Sequence, residues 1–276
     1  MKKTFYISLI LLIVSCGGNN DEGEHNNTPS SFVFEDSFES ANNELSDLLP
    51  TDLSRWTNIQ QVDPVGATNQ ISVVSDPVSD GASALQIVSN PSNTILSKID
   101  IEKAGFQAFS GDVVTIKADF YIATENPITD LFLIDLECCS CWDESSGADN
   151  QCPGVRLQIS GDGFLSIERG KISDTTISQN QVSFPRNQWV TVEWQIQLSD
   201  QPDGVNSLKL NNTEVISSTG MNLPNADIFR DLFAEESIDF NLQQPVFYER
   251  VQIGATANPT AGLITLYVDN FSIRVK

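Results

Sequence analysis

From Phe32 onward, the sequence consists of short runs in which apolar and polar residues alternate, separated by turn-forming residues. The clearest runs are Ile71–Ser75, Ala82–Val88, Val113–Ile122, Leu131–Cys138, Val155–Ser160, Phe164–Arg169, Trp189–Ser199, Ser207–Leu210, Glu214–Ser217, Tyr248–Ile253 and Leu263–Val275. Alternation with a period of two is the pattern of a β-strand with one buried face. Gly and Asn between the runs supply the positive φ that tight turns need. Because only Asn225–Phe233 has a helical pattern, the sequence predicts an all-β, two-sheet antiparallel sandwich, jelly roll or barrel.

The first fifteen residues have the features of a signal peptide. Lys2 and Lys3 precede an apolar run, Phe5–Val14, that is too short to span a bilayer. The run ends in Ile13-Val14-Ser15-Cys16, which resembles a bacterial lipobox. That resemblance implies cleavage before Cys16 and attachment of a lipid to its sulfur. An ordinary secretory peptide with a chance cysteine is the alternative.

Residues 16–31 are polar and acidic, without apolar periodicity, and are predicted to form a flexible tether. Cys16 followed by GGNNDE resembles the lipoproteins that Bacteroidetes-type bacteria export to the outer face of the outer membrane. We therefore expect an outer-membrane protein that faces the cell exterior and contacts the membrane through its lipid alone. No linker or repeat interrupts residues 32–276, so we expect one β-domain there.

Charge and histidine content exclude several function classes. The chain has 15 Lys+Arg and 37 Asp+Glu, a formal charge of −22, which argues against nucleic acid as a partner because phosphate binding needs a basic surface. Its one histidine, His25, lies in the polar N-terminal stretch. This position argues against Ser-His-Asp triads, Cys-His pairs and His-ligated zinc.

Strand parity separates a predicted core face from a predicted polar face in four of the runs. The polar sides combine cationic, acidic, amide and phenolic groups, a mixture typical of ligand-binding surfaces on rigid scaffolds. We expect them to line one shared concave face, although a solvated outer sheet is the alternative. These candidate ligand-binding residues are Lys117, Tyr121, Asp135, Glu137, Arg156, Gln158, Glu193 and Gln195.

Five segments resemble the concanavalin A-like lectin/glucanase superfamily: Phe34–Glu39, Gln188–Trp194, Leu208–Asn212, Glu249–Gly254 and Leu266–Ile273. The resemblance implies a jelly-roll sandwich with a glycan on its concave sheet. Members include lectins, laminarinase-type glycosidases, polysaccharide lyases and carbohydrate-binding modules. A polysaccharide or glycan is therefore the expected partner, together with other surface proteins of polysaccharide utilisation.

The catalytic motifs of this superfamily are incomplete here. Laminarinase-type enzymes carry Glu-x-Asp-x-Glu, and Leu133 stands where the first catalytic Glu would be. By resemblance, a lyase would need Tyr121 as both base and acid beside Lys117, with Arg156 neutralising a uronate carboxylate. Glycan binding without cleavage is therefore the favoured function, with a lyase or glycosidase of the same fold as the alternative and a structural or adhesive protein as the third possibility. The candidate catalytic residues are Tyr121, Lys117, Arg156, Asp135 and Glu137.

Four cysteines form the pattern C-C-x-C-x10-C: Cys138, Cys139, Cys141 and Cys152. In an exported chain this pattern favours two disulfides over a zinc site. A vicinal Cys138–Cys139 bridge is disfavoured because neighbours on a strand point apart. The bridges would hold the following loop either as a structural insertion or with Trp142 placed at the rim to stack on a sugar. The other tryptophans, Trp56, Trp189 and Trp194, are expected to be structural.

The same resemblance implies a structural Ca²⁺ near the chain ends. Asp36 or Glu39 with Asp269 are the candidate ligands, and backbone carbonyls would supply most of the remaining oxygens. The alternative is that these acids are solvated or cap turns.

Overall fold

The computed structural model describes residues 31–123, 128–142, 152–170, 175–235, 237–239, 241–259 and 262–276. The predicted signal peptide and the tether up to residue 30 lie outside these described residues. Fifteen strands, one α-helix and one 3-10 helix, η1 (Leu45–Leu48), occur within the described ranges. No helix in these ranges is both long enough and apolar enough to cross a bilayer.

The strands form two antiparallel sheets. Sheet A has the order β13-β12-β11-β6-β15-β4-β3, with β1 also paired to β15, and sheet B has the order β10-β9-β8-β7-β14-β5-β2. In sheet A the strands are β1 (Phe32–Asp36), β3 (Gln70–Val74), β4 (Ala84–Ser89), β6 (Val113–Ile122), β11 (Trp189–Gln197), β12 (Val205–Leu210), β13 (Thr213–Thr219) and β15 (Ile264–Val275). In sheet B they are β2 (Asn58–Val62), β5 (Lys98–Ala108), β7 (Leu131–Glu137), β8 (Gly154–Ile159), β9 (Phe164–Gly170), β10 (Thr175–Ser183) and β14 (Tyr248–Ala257). This arrangement confirms the predicted two-sheet jelly-roll sandwich.

The core lies between the two sheets. One set of alternate side chains from each strand points into it, including Ile116 and Trp194 from sheet A and Ile101 and Ile253 from sheet B, all with no exposed surface. Burial of such side chains is the main favourable term in folding, and it also determines the register of every strand, because a one-residue slip would turn the apolar set outward.

An aromatic group closes the core beside β1. Trp56 stacks on Phe38 with ring centroids 5.4 Å apart and packs against Phe271 at 4.9 Å. Trp56 and Trp194 are fully buried, as expected of structural residues, whereas Trp189 at the start of β11 is partly exposed.

The single α-helix of the described residues, α1 (Ala226–Glu235), confirms the helical pattern in the sequence. The Asn225 side chain accepts a hydrogen bond from the Ile228 amide at 3.1 Å and so caps the first turn. Phe229 buries the apolar side of the helix against the core.

The cysteines form two disulfides, Cys138–Cys141 and Cys139–Cys152. The predicted disulfides are confirmed, and the disfavoured vicinal bridge is not formed. The second bridge joins Cys139, which follows β7, to Cys152, two residues before β8 begins. Most of the loop between them, residues 143–151, lies outside the described residues.

Candidate functional site

The predicted polar face is divided between the two sheets. Lys117, Tyr121, Glu193 and Gln195 lie on β6 and β11 of sheet A, whereas Asp135, Glu137, Arg156 and Gln158 lie on β7 and β8 of sheet B. The expectation of one shared face is therefore wrong, because strand parity gives the orientation of a side chain within its strand but not the sheet that the strand joins. A lyase site that combines Tyr121 and Lys117 with Arg156 is excluded for the same reason.

Trp142 does not lie at the rim, where it could stack on a sugar. Its side chain is only 5 % exposed and packs edge-on against Phe233 of α1, with ring centroids 5.9 Å apart. This contact supports the structural alternative for the disulfide-bridged segment.

The outward side chains of sheet B form what we call the recessed face. They are polar, yet many have almost no exposed surface, including Asp100, Asp135, Glu137 and Gln252 at 2 % or less. On sheet A, Lys117 and Gln195 are exposed, although Asp119 is buried. Sheet B is therefore the sheet whose outward polar side chains are more extensively withdrawn from solvent.

A continuous row of polar residues crosses the recessed face. Strand register places Thr176 opposite Glu168, Glu168 opposite Arg156, Arg156 opposite Asp135, Asp135 opposite Gln252, and Gln252 opposite Glu102. Directly opposed residues on one face of a sheet have Cβ atoms about 5 Å apart. The row therefore alternates carboxylates with an Arg and an amide across six strands.

An open groove of about 420 Å³ lies over one half of this row. Arg156, Gln158, Glu168 and Asp130 line it, and the Arg156 guanidinium lies 4.3 Å from the centroid of the Phe132 ring. By strand parity with Ile134 and Leu136, Phe132 would lie on the core face. A register shift between Phe132 and Ile134 turns Phe132 outward and makes it the support of Arg156.

A buried ionic cluster lies on the other side of Asp135. The Lys98 ammonium is 2.6 Å from the Gln252 amide oxygen and 3.4 Å from the Asp100 carboxylate. The Gln252 amide nitrogen donates to Glu137 at 2.8 Å and to Glu102 at 3.2 Å. Gln252 thus connects a cation to two carboxylates on neighbouring strands.

Burial decides the direction of the pKa shift of Asp100, whereas neighbouring charges decide that of Lys98. Loss of hydration raises the pKa of Asp100 from 3.8 to about 8, against the opposing attraction of Lys98. Burial alone would lower the pKa of Lys98, but the charges of Asp100, Glu137 and Asp135 outweigh it and raise that pKa. Lys98 therefore remains an ammonium at neutral pH and is a poor proton acceptor.

Sequence reasoning missed Lys98, Asp100 and Glu102, because it did not recognise β5 as a strand. The signal was present in Lys98-Ile99-Asp100-Ile101-Glu102, which alternates charged and apolar residues with the period of a strand. Glu168 and Gln252 were likewise placed on predicted strands without a functional role.

The predicted calcium ligands are bonded to nitrogen donors. The Arg55 guanidinium binds both oxygens of Asp36, at 2.6 and 2.8 Å. Glu39 accepts the Ala82 amide, and Asp269 accepts the Ser79, Asp80 and Asn270 amides. Carboxylates that already face cationic or N–H donors do not fit a shared calcium site, so the contacts give the calcium prediction no support.

The one described group of three possible metal ligands consists of Glu137, Cys139 and Cys152. Both of these cysteines are in a disulfide, so they carry no thiolate to bind a metal.

The two sheets and the polar groove on sheet B define a jelly-roll sandwich, and the comparison with protein families supplies the class of protein. The family model described as polysaccharide lyase matches residues 49–272, and the chain therefore belongs to this family. A search of curated proteins found no match.

Solved structures share the fold at low sequence identity. The endo-β-1,4-glucuronan lyase from the fungus Trichoderma reesei has a TM-score of 0.58 and 13 % identity, covering 89 % of this chain and 95 % of that chain. A cellulose-induced protein has a TM-score of 0.55 and 17 % identity, with coverages of 87 % and 96 %. The PL-14 alginate lyase from Aplysia kurodai has a TM-score of 0.52 and 14 % identity, with coverages of 88 % and 97 %. At these identities the likeness establishes the fold alone.

Proposed function

We propose that the protein is a lyase that cleaves a uronate-containing polysaccharide by β-elimination on the recessed face. Membership of the polysaccharide lyase family supports cleavage over binding alone, which was the favoured expectation and is not confirmed. Two of the similar structures are named as lyases of glucuronan and alginate, both of which are uronic acid polymers. The observation that carries the proposal is the pairing in register of Arg156 with Glu168 in an open groove.

Arg156 has the chemistry to hold the substrate. The Arg156 side chain lines the groove and the residue is partly exposed, and the Phe132 ring beneath the guanidinium restricts its orientation. A planar guanidinium binds a carboxylate through two parallel hydrogen bonds. In a uronate substrate, this contact would stabilise the negative charge that spreads onto the C6 carboxylate when the C5 proton leaves.

Glu168 is the proposed proton carrier. Its carboxylate accepts the C5 proton, the C4–O4 bond breaks, the electron pair forms the C4=C5 double bond, and the protonated Glu168 returns the proton to O4. Thr176 Oγ1 lies 3.0 Å from each Glu168 carboxylate oxygen and orients the group. A glutamate removes a proton next to a carbonyl in triosephosphate isomerase, so a carboxylate is a competent base for this class of step. Within the described residues, the recessed face presents no Tyr or His that could take this role.

The test is initial-rate kinetics on polyglucuronate and alginate, followed by the ultraviolet absorbance of the unsaturated product. Glu168→Gln keeps the shape of the side chain and is expected to lower kcat by about 10²–10⁴-fold, the usual contribution of a general base. Arg156→Met is expected to raise KM as well as lower kcat. Glu235→Gln, at the exposed end of α1, is the matched control and should retain wild-type rates. Full activity in Glu168→Gln, or loss of activity in Tyr121→Phe, would contradict the proposed site.

Glycoside hydrolysis is the second candidate, because Glu137 and Glu102 both contact one Gln252 nitrogen. Retaining glycosidases need two carboxyl groups about 5 Å apart, and this arrangement is compatible with that spacing. Hydrolysis predicts new reducing ends without ultraviolet absorbance, abolished by Glu137→Gln. Binding of a glycan without either product would restore the binding-only alternative.

We further propose that this activity takes place at the cell surface, with the protein held in the outer membrane by a lipid on Cys16 and working beside other proteins of polysaccharide utilisation. The lipobox-like segment supports this location. Metabolic labelling with a radioactive fatty acid should label the wild-type chain but not Cys16→Ala. Equal labelling of the two would contradict it.

A further inference from the structure

A row of aromatic side chains crosses the outward face of sheet A, on the opposite side of the molecule from the recessed face. Register places Trp189 opposite Tyr121, Tyr121 opposite Tyr267, and Tyr267 opposite Gln86. Ring centroids are 5.6 Å apart for Trp189–Tyr121 and 5.8 Å apart for Tyr121–Tyr267. The hydroxyl of Tyr267 accepts a hydrogen bond from Gln86 at 3.0 Å, so an amide adjoins the end of the row.

A polar groove of about 560 Å³ lies directly beside this row. Thr191 and Asp119, two residues along their strands from Trp189 and Tyr121, are part of its lining. Lys117 also lines it, is exposed, and makes no hydrogen bond or ion pair within the described part of the chain. Aromatic faces beside unpaired donors are the combination that binds sugars, because a pyranose ring has apolar C–H faces and a rim of hydroxyls.

The charges of this groove argue against an acidic polymer. Its lining contains four carboxylates, Glu35, Asp36, Asp80 and Asp119, and two cations, Lys117 and Arg274. Arg274 is already paired with Glu35, and Asp36 with Arg55. A polyanion approaching this face would meet net negative charge, whereas neutral hydroxyls can accept from Lys117 and donate to carboxylate oxygens.

The tilt of the rings indicates the form of the ligand. Neighbouring rings meet at 62° and 78°, so the row is not a flat platform that could lie on a crystalline surface. Tilted rings suit a single chain whose successive sugar faces are rotated relative to one another.

We propose that this row and groove form a second glycan-binding surface, for a single chain of a neutral polysaccharide, with Trp189 and Tyr121 as stacking residues and Lys117 as a hydrogen-bond donor. The protein would then hold a neutral matrix glycan on sheet A while sheet B acts on an acidic one. This inference does not depend on the proposed lyase chemistry.

Tryptophan fluorescence provides a selective probe of this surface. Three of the four tryptophans, Trp56, Trp142 and Trp194, are 5 % exposed or less, so acrylamide quenching reports mainly on Trp189. Cellohexaose, laminarihexaose and mannohexaose would be titrated separately into the whole protein. At least one of them is expected to protect the fluorescence from quenching, and alginate hexasaccharide is not.

Variants separate this surface from the recessed face. Calorimetric titration should show affinity for the neutral hexasaccharide about tenfold weaker or more in Trp189→Ala, the loss typical of a stacking hot spot. Lys117→Ala changes an exposed side chain, so it is expected to retain the fold by circular dichroism and to weaken binding severalfold. Glu168→Gln should bind the neutral hexasaccharide as the wild type does, whatever its effect on cleavage.

Three results would overturn the proposal. The first is that none of the three neutral hexasaccharides binds at millimolar concentration. The second is that binding survives in Trp189→Ala and Lys117→Ala but is lost in Glu168→Gln, which would place the ligand on the recessed face. The third is a dimer in sedimentation experiments that Trp189→Ala dissociates, which would show that the row is a contact between copies.

Discussion

Asp100 provides the sharpest physical prediction, because it is a carboxyl group that the folded chain has removed from water. It has no exposed surface, and neither of its oxygens accepts a hydrogen bond within the described residues. Its ion-pair partner within the described residues is the Lys98 ammonium at 3.4 Å. Two effects therefore compete at this residue: burial favours the neutral acid, and Lys98 favours the carboxylate. Because the pKa of Asp100 is raised to about 8, the effect of burial is larger than the attraction of Lys98.

The sign of the pH effect follows from proton binding. In the unfolded chain Asp100 loses its proton near pH 4, whereas in the folded chain it keeps the proton up to about pH 8. Between these values the folded state holds more protons, so the free energy of unfolding falls as pH rises, by at most about 1.4 kcal/mol per pH unit. The raised pKa of Lys98 adds stability that is constant in this window and is lost only above the ordinary lysine pKa, about 10.4.

Asp100→Asn removes this titration with little change in shape. Urea unfolding of both proteins at pH 5, 6, 7 and 8 would give the difference in unfolding free energy, wild type minus variant. We expect that difference to fall by about 2–4 kcal/mol from pH 5 to pH 8. Asp162→Asn removes a carboxylate from an exposed turn and should leave the difference flat. A difference that rises with pH would refute the reasoning, because it would mean that the ion pair with Lys98 outweighs burial.

Three further predictions concern packing, the cross-link and charge. Gly154→Ala would place a Cβ against the Leu136 carbonyl oxygen and should lower the free energy of unfolding by about 1–3 kcal/mol in chemical unfolding. Gly161→Ala, where the added Cβ has room, should change that free energy by less than about 0.5 kcal/mol. Equal losses of stability in the two variants would contradict the tight approach of β8 to β7. Replacing both Cys139 and Cys152 by Ser removes a disulfide that joins residues 13 apart in the chain and should lower the free energy of unfolding by about 3 kcal/mol. An unchanged urea midpoint would show that this disulfide does not constrain the unfolded chain. The chain carries a formal charge of −22, so it repels a polyuronate at long range. Raising the ionic strength from 0.01 to 0.1 M shortens the screening length from about 30 to about 10 Å and should therefore increase kcat/KM on a polyuronate. A decrease in kcat/KM would mean that local cations control the approach of the substrate.

The fold class and most of its elements were predictable from the sequence, because alternation reports directly on a strand with one buried face. The run Val113–Ile122 coincides with β6, and the helical pattern coincides with α1 to within two residues. Four strands, β1, β2, β5 and β10, were not predicted. The most costly omission was β5, because its outward residues Lys98, Asp100 and Glu102 belong to the buried ionic cluster of the recessed face.

Which residues come together in the candidate site was not predictable in the same way. Alternation shows that Lys117 and Arg156 both point away from the core, but sheet membership is decided by long-range pairing, which leaves no local trace in the sequence. A register shift also cannot be read from the sequence. Leu133 and Ile134 are both buried, and the shift between Phe132 and Ile134 turns Phe132 outward to support Arg156. The candidate site therefore became visible only when the strands were assembled.

The most direct test of the central claim, that this face carries out β-elimination, is mass spectrometry of the products made from polyglucuronate or alginate in water enriched in heavy oxygen. Elimination consumes no water, so the account predicts unsaturated oligosaccharides that are one water lighter than hydrolysis products and carry no heavy oxygen. These products should disappear with Glu168→Gln. Saturated products that each contain one heavy oxygen atom would contradict the account and establish hydrolysis.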